Sequence, residues 1–321
     1  MKVLYLIQSH KNPEQICRLV QTIKKSSSKS QILVSHDFNG CQLDVKSLEM
    51  QPGVYVIKKN TKGVRGDFSL VQAYLDALEW LFTHKIDFDW LINLSGQDYP
   101  TQPLYRFEQF LEETNYDGFL QYSDLFSKDS YYGLKESRDR YLYQYWHSGV
   151  QFSKWQRGLI KPFRVLVNNI QPFVKIDSSY QLSLGVQAFS TPFSKDFICY
   201  GGSYFKILSK KCISYIYDFL KNDETLINYY KKTRNPDESF GQTILINSGL
   251  FNLCKDYKFY IDWTGSRHGH PRTLTVEDYP TILKKDVYFA RKFDMARDSI
   301  VLDMLDSRVL PETSQVTLGI T

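Results

Sequence analysis

Apolar positions in this chain fall into short continuous runs separated by stretches of helical spacing, a rhythm that predicts strand and helix in turn. Val3-Leu4-Tyr5-Leu6-Ile7 is apolar throughout, as expected of a strand buried on both faces, and it stops at Gln8-Ser9-His10. Asn12-Pro13-Glu14 then opens a helix that places Ile16, Leu19, Val20 and Ile23 on one face. Gln31 to Ser35 and Val54 to Ile57 predict two more strands, the first running out into His36-Asp37. From Phe68 to Thr83, the residues Leu70, Val71, Tyr74, Leu75, Leu78, Leu81 and Phe82 line one side of a long helix. Trp90 to Leu94 predicts a central strand that leads directly into Ser95-Gly96-Gln97-Asp98-Tyr99-Pro100.

This alternation predicts an α/β fold, a mostly parallel central sheet flanked by helices, with ligands at the carboxyl ends of the strands. No Gly-x-Gly-x-x-Gly follows the first strand, which counts against a nicotinamide-dependent oxidoreductase of the same class. Residues 124–194 are rich in Tyr, Trp and charge with poor periodicity, and they read as a loop-rich insertion suited to an acceptor surface. Order returns at Gly201-Gly202-Ser203-Tyr204-Phe205 and in a helix from Lys210 to about Leu220. The expected organisation is one domain over 1–308 and a polar tail over 309–321.

Composition narrows the partners. The 321 residues are 42% hydrophobic and 23% charged, as in ordinary globular proteins. A net charge of +5 suits an acidic ligand such as a nucleotide diphosphate, although surface solubility accounts for most such charge. Lys and Arg are scattered, so no nucleic-acid partner is expected. Aromatics reach 15%, in keeping with sugar stacking as well as core packing. Five cysteines, odd in number and without a CxxC pair, argue against a disulfide framework or structural zinc and for a reducing compartment. The apolar start is too short to span a membrane. The expectation is a cytoplasmic protein with no integral membrane segment, free to dock at the inner face of the membrane, although no amphipathic anchor stands out.

The chemistry concentrates in one acid and a group of cations. Glu238 lies in Asn235-Pro236-Asp237-Glu238-Ser239-Phe240, and it is followed by Arg272 and then by Arg291 and Lys292 in Phe289-Ala290-Arg291-Lys292-Phe293-Asp294. A carboxylate can take the proton of an incoming hydroxyl, and fixed cations can stabilise a departing diphosphate. The plainer alternative is that Asp237 and Glu238 merely cap the helix beginning near Ser239. The single Asp-x-Asp, Asp87-Phe88-Asp89, precedes a strand and so faces the wrong end of the sheet for a metal-held nucleotide. His268 and His270 lack further ligands nearby and read as a turn before Pro271. No metal and no cofactor is expected.

Four segments in order, Leu94 to Pro100, Gly202 to Phe205, Pro236 to Phe240, and His270-Pro271-Arg272 with Phe289 to Asp294, resemble the core-2/I-branching β-1,6-N-acetylglucosaminyltransferase family, which includes the peptide O-xylosyltransferases. The likeness runs from Met1 to about Arg297. It implies a GT-A-like nucleotide-sugar-binding fold and inverting, metal-independent transfer from a UDP-sugar to a glycan or glycolipid hydroxyl. N-acetylglucosamine is the first expectation for the sugar and xylose the alternative. By resemblance, Glu238 is the base, and Arg272 and Lys292 hold the diphosphate, with Arg291 beside them as the more structural cation. Asp37 contacts the nucleoside, and Ser95, Gly96, Gln97 and Asp98 shape the donor-sugar pocket. Trp263 and Tyr204 fall on the acceptor side, and Lys135 and Arg138 match basic positions of the variable middle more loosely. Asp98 could equally brace the Gly96 turn, and Asp37 cap the next segment. A non-catalytic nucleotide- or carbohydrate-binding module of the same fold is the rival reading. The secretory members carry a membrane anchor and disulfides, and this sequence shows neither, so its acceptor does not follow from theirs.

Overall fold

The computed structural model describes residues 1–59, 62–150, 152–265 and 270–310. Its centre is a seven-stranded sheet whose spatial order, from one edge, is Leu253–Cys254, Gly118–Leu120, Lys206–Ser209, Trp90–Ser95, Val3–Ser9, Gln31–Asp37 and Val54–Lys59. Six strands run the same way, and Lys206–Ser209 alone is antiparallel to its neighbours. The α/β expectation and its mostly parallel sheet are therefore met.

Strand Val3–Ser9 shows why both faces had to be apolar. Val3, Tyr5 and Ile7 pack into one core with Ile16, Leu19, Val20 and Ile23 of helix Pro13–Ser26. Leu4 and Leu6 pack into a second core with Val71, Tyr74, Leu78 and Leu81 of helix Ser69–Thr83. Successive side chains of a strand point to opposite faces, so a helix on each side demands an unbroken apolar run. The chain leaves Val3–Ser9 towards Gln31–Asp37 and returns on its other side as Trp90–Ser95, which opens a crevice at their carboxyl ends.

A small sheet closes over that edge. Asp98–Pro100 pairs antiparallel with Phe289–Arg291, which in turn pairs parallel with Phe259–Ile261. The late segment carrying the cations is thereby stitched onto the turn that follows the central strand.

Residues 124–194 differ from the loop-rich expectation. They hold helix Leu134–Tyr141, helix Lys154–Ile170 and a three-stranded antiparallel sheet of Tyr143–His147, Ser183–Gln187 and Val174–Asp177. On the long helix no described side chain is buried, and Trp155, Leu159, Phe163, Leu166 and Ile170 are exposed, so it escapes a core-seeking reading. The tail expected at 309–321 lies outside the described residues from position 311 onward.

Candidate active site

Two carboxylate–arginine pairs stand at the carboxyl edge of the main sheet. The first is Asp98 with Arg291, which the small sheet places directly opposite each other. Asp98 is 0% exposed and accepts hydrogen bonds from the Ser95 N–H at 2.7 Å and the Ser95 hydroxyl at 2.9 Å. The Arg291 Nε lies 3.2 Å from its carboxylate, and the guanidinium covers the Phe205 ring at 4.1 Å. Burial pushes the Asp98 carboxyl up and the Arg291 guanidinium down, and each partner's charge opposes the other's shift. Asp98 thus braces the Ser95–Gly96–Gln97 turn, and the Arg291 charge is answered inside the protein.

The turn is locked to the segment after Arg291. Gln97 accepts from the Phe293 N–H at 2.8 Å and donates its amide to the Phe293 carbonyl at 3.2 Å. Gln15, fully buried on the first helix, donates to the carbonyls of Gly96 and Phe293 and accepts from the Met295 N–H. Sequence reasoning passed over Gln15, although a glutamine beside the apolar stripe of Ile16, Leu19 and Val20 was a visible anomaly. Lys292 emerges from this unit half-buried. Its burial, and then the neighbouring cations Lys11, Arg291 and Arg65, push its amine down, with Asp294 opposing. Lys11 and Arg65, neither singled out from sequence, therefore share a positive field with Lys292.

The second pair is Glu238 with Arg140. Asn235 enters the left-handed region (φ 49°) and starts a single 3₁₀ turn, Pro236–Glu238, before helix Phe240–Asn247. Neither acid caps that helix through its side chain. The Glu238 carboxylate instead receives Arg140 Nη1 at 2.7 Å and remains 25% exposed. Arg140 also bonds Glu136 one turn earlier and stacks on Tyr132 at 4.1 Å. Gly202 fixes the height of the turn. Its N–H donates to the Glu238 carbonyl at 2.9 Å, and a Cβ there would meet the Gln121 carbonyl oxygen at 2.2 Å, so only glycine fits.

Arg140 was missed in favour of Lys135 and Arg138. At 3.6 residues per turn, Arg138 lies about 200° around the helix from Arg140 and faces outward. Lys135 is also exposed, with its amine 3.5 Å from the Asn169 amide oxygen. The signal that could have singled out Arg140 is the Glu136 to Arg140 spacing, an i, i+4 pair that fixes a guanidinium.

Beside Glu238, Asp237 is half-buried with one carboxylate oxygen shut away from solvent, and desolvation, then the Glu238 charge, push its carboxyl up to about 7. Buried Lys206 is pushed down to about 8 by desolvation, against the pull of Asp237 and Glu238. Tyr204 joins the two pairs: its phenol is raised by burial and feels both Asp237 and Asp98. Tyr204 thus lies within electrostatic range of the Asp237–Glu238 turn and of Asp98, the partner of Arg291.

The remaining expected residues are placed as follows. Arg272 is not an unanswered cation. Its guanidinium donates to both Asp262 and Asp278, using four of its five N–H groups. Asp37 is buried at the end of its strand and accepts from the Asn39 N–H and from the Gly63 N–H at 2.6 Å, so it ties down the neighbouring loop. Trp263 is exposed next to Asp262. His270 contacts Arg65 at 2.8 Å, and His268 lies outside the described residues. Asp87 is paired with Lys2 and Lys210 at the amino end of the central strand, away from this edge. All five cysteines are unpaired, and among the described residues no helix is long and apolar enough to cross a membrane.

The family model described as Core-2/I-Branching enzyme matches residues 5–285, which include Glu238 and Arg272 and stop short of Arg291 and Lys292. The chain belongs to the Core-2/I-Branching enzyme family. Within this family it is 24% identical over 297 residues to xylosyltransferase oxt of Drosophila pseudoobscura pseudoobscura, covering 84% of this chain and 29% of that one. It is 25% identical over 263 residues to the β-glucuronosyltransferase GlcAT14B of Arabidopsis thaliana, covering 79% and 51%. The chain therefore spans about half or less of the length of these relatives. Among solved structures, S. aureus TarS 1–349 in complex with UDP-GlcNAc overlaps 37% of this chain and 34% of its own, at 16% identity and a TM-score of 0.30.

Proposed function

We propose that this protein transfers a sugar from a UDP-sugar to a hydroxyl of a glycan or glycolipid acceptor, inverting the anomeric centre in one displacement. The observation that carries the reading is the half-open carboxylate of Glu238, held by Arg140 at the same strand edge as the Lys292 cation cluster. Arg140 aims Glu238, and one carboxylate oxygen takes the acceptor proton as the acceptor oxygen attacks. Tyr204 feels the charges of Asp237, next to this base, and of Asp98 in the donor turn of Ser95, Gly96, Gln97 and Asp98.

Lys292 is the principal counter-charge for the departing diphosphate, with Lys11 and Arg65 adding to its field. Arg272 offers its one remaining N–H and otherwise holds the Asp262 and Asp278 loops. These cations do the electrostatic work that a divalent ion would do elsewhere, so transfer proceeds without a metal. N-acetylglucosamine remains the first donor reading from the motifs. Relatives named for xylose and glucuronic acid make UDP-xylose and UDP-glucuronate the necessary comparators.

A thermal-shift panel of UDP, these three UDP-sugars and NAD, each with and without EDTA, tests the proposal. A bound ligand raises the melting temperature by mass action. UDP and one UDP-sugar should raise it equally with and without EDTA, and NAD should not. Lys292→Ala should weaken UDP about ten- to a hundredfold, the scale of one lost charged hydrogen bond. A shift that EDTA abolishes would overturn the metal-free reading. UDP-sugar binding with neither hydrolysis nor transfer would make the protein a binding module instead.

A further inference from the structure

Helix Lys154–Ile170 presents its apolar stripe to solvent. At 3.6 residues per turn, Trp155, Leu159, Phe163, Leu166 and Ile170 fall within an arc of about 80°. All five are exposed, Trp155 at 70% and Ile170 at 72%. The opposite, polar side is the one that meets the protein. Arg157 donates to the Ser179 carbonyl, Arg164 to the Ser178 hydroxyl, and Asn168 bonds both the carbonyl and the N–H of Ile176. An amphipathic helix that turns its polar face inward and its apolar face outward is built to lie on something apolar.

The charge around the stripe selects the occupant. Residues 141–194 contain the cations Lys154, Arg157, Lys161, Arg164 and Lys175, and Asp177 is their one acid. Exposed Lys135 reaches the edge of the stripe through Asn169, exposed Lys161 lies on the far side of the helix, and Lys175 is buried in a pair with Asp139. Phe173, just past the helix end, adds a further exposed ring. Bulky apolar residues on an insertion with an excess of cations and almost no acids match the boundary of an anionic bilayer, where side chains enter the acyl region and the positive field of the protein faces lipid phosphates. The Ser153 capping box, in which Ser153 and Gln156 bond each other's backbone N–H, fixes where the helix begins.

We infer that this helix docks the protein on an anionic lipid surface, lying in the interface without crossing it. The insertion that bears it also supplies Arg140 to Glu238, so docking would set the candidate site at a fixed height above the lipid headgroups.

Flotation of the full chain with vesicles of phosphatidylcholine, alone or mixed with phosphatidylglycerol, tests this. The protein should float with the mixed vesicles at low salt and far less with phosphatidylcholine alone. The double variant Leu159→Glu/Phe163→Glu should lower the bound fraction by about tenfold or more. Its melting temperature and its thermal shift with UDP should stay as in the parent, which separates loss of docking from misfolding and from failure of the donor site. Lys135→Glu should give a smaller loss that vanishes at high salt. Absence of flotation with mixed vesicles, or flotation indifferent to the double variant, overturns the inference. So does a dimer in light scattering that the double variant dissociates, since a second copy would then cover the stripe.

Discussion

The pairs Asp98–Arg291 and Glu238–Arg140 share a chemistry and differ in their exposure to water. Asp98 is sealed, its carboxylate surrounded by the Ser95 N–H, the Ser95 hydroxyl and Arg291, and it has no opening to a substrate. Glu238 is held by one firm contact and keeps a quarter of its surface open. A buried pair contributes chiefly by fixing geometry, because desolvation offsets much of its attraction. A half-open pair can exchange a proton with a visiting hydroxyl while its arginine holds it in place. Exposure, more than residue type, separates the brace from the proposed base.

The largest effect expected from breaking this contrast is on turnover. Glu238→Gln should lower the rate of sugar transfer by about 10²–10⁴-fold, the usual contribution of a general base. UDP binding and melting temperature should change little, because Arg140 retains Glu136. Unchanged transfer in steady-state assays would remove Glu238 from the chemistry.

Asp98→Ala should do the reverse and act on the fold. It leaves Arg291 buried without its partner, at a cost of about 3–5 kcal/mol in unfolding free energy. Denaturant unfolding measures this, and a change below about 1 kcal/mol would mean that the pair is not the brace described here.

The smallest effect concerns Asp237, the acid between the two regimes. Its folded pKa is raised from the ordinary 3.8 to about 7, so the folded protein holds a proton that the unfolded chain releases. Its stabilising contribution is therefore fully present below about pH 4 and is lost as the pH rises through 7. The parent should lose melting temperature relative to Asp237→Asn between these limits. Parallel pH profiles for the two proteins would show that Asp237 ionises normally.

How far the sequence reached depended on the range of the interactions involved. The strands Val3–Ser9, Gln31–Asp37, Val54–Lys59 and Trp90–Ser95 were readable to within two residues, because a buried strand must be apolar and a neighbouring helix must carry a stripe. Ser95–Asp98 and Glu238 were readable as motifs. Arg140 was not, because nothing local says which of several nearby cations a helix will turn inward. The pairing of Arg272 was unreadable for the same reason: Asp262 and Asp278, which answer its charge, declare themselves only once the loops are folded.

The two amphipathic helices carry the same lesson. Pro13–Ser26 buries its apolar stripe against the sheet, and Lys154–Ile170 exposes its own. Sequence alone showed the stripe of Pro13–Ser26, because periodicity follows from the 3.6-residue turn, whereas Lys154–Ile170 lay in a segment read as loop-rich. Tertiary structure decided which way each stripe faces and which carboxylate is sealed and which left open. Those outcomes rest on contacts between segments far apart in the chain, and no local pattern encodes them.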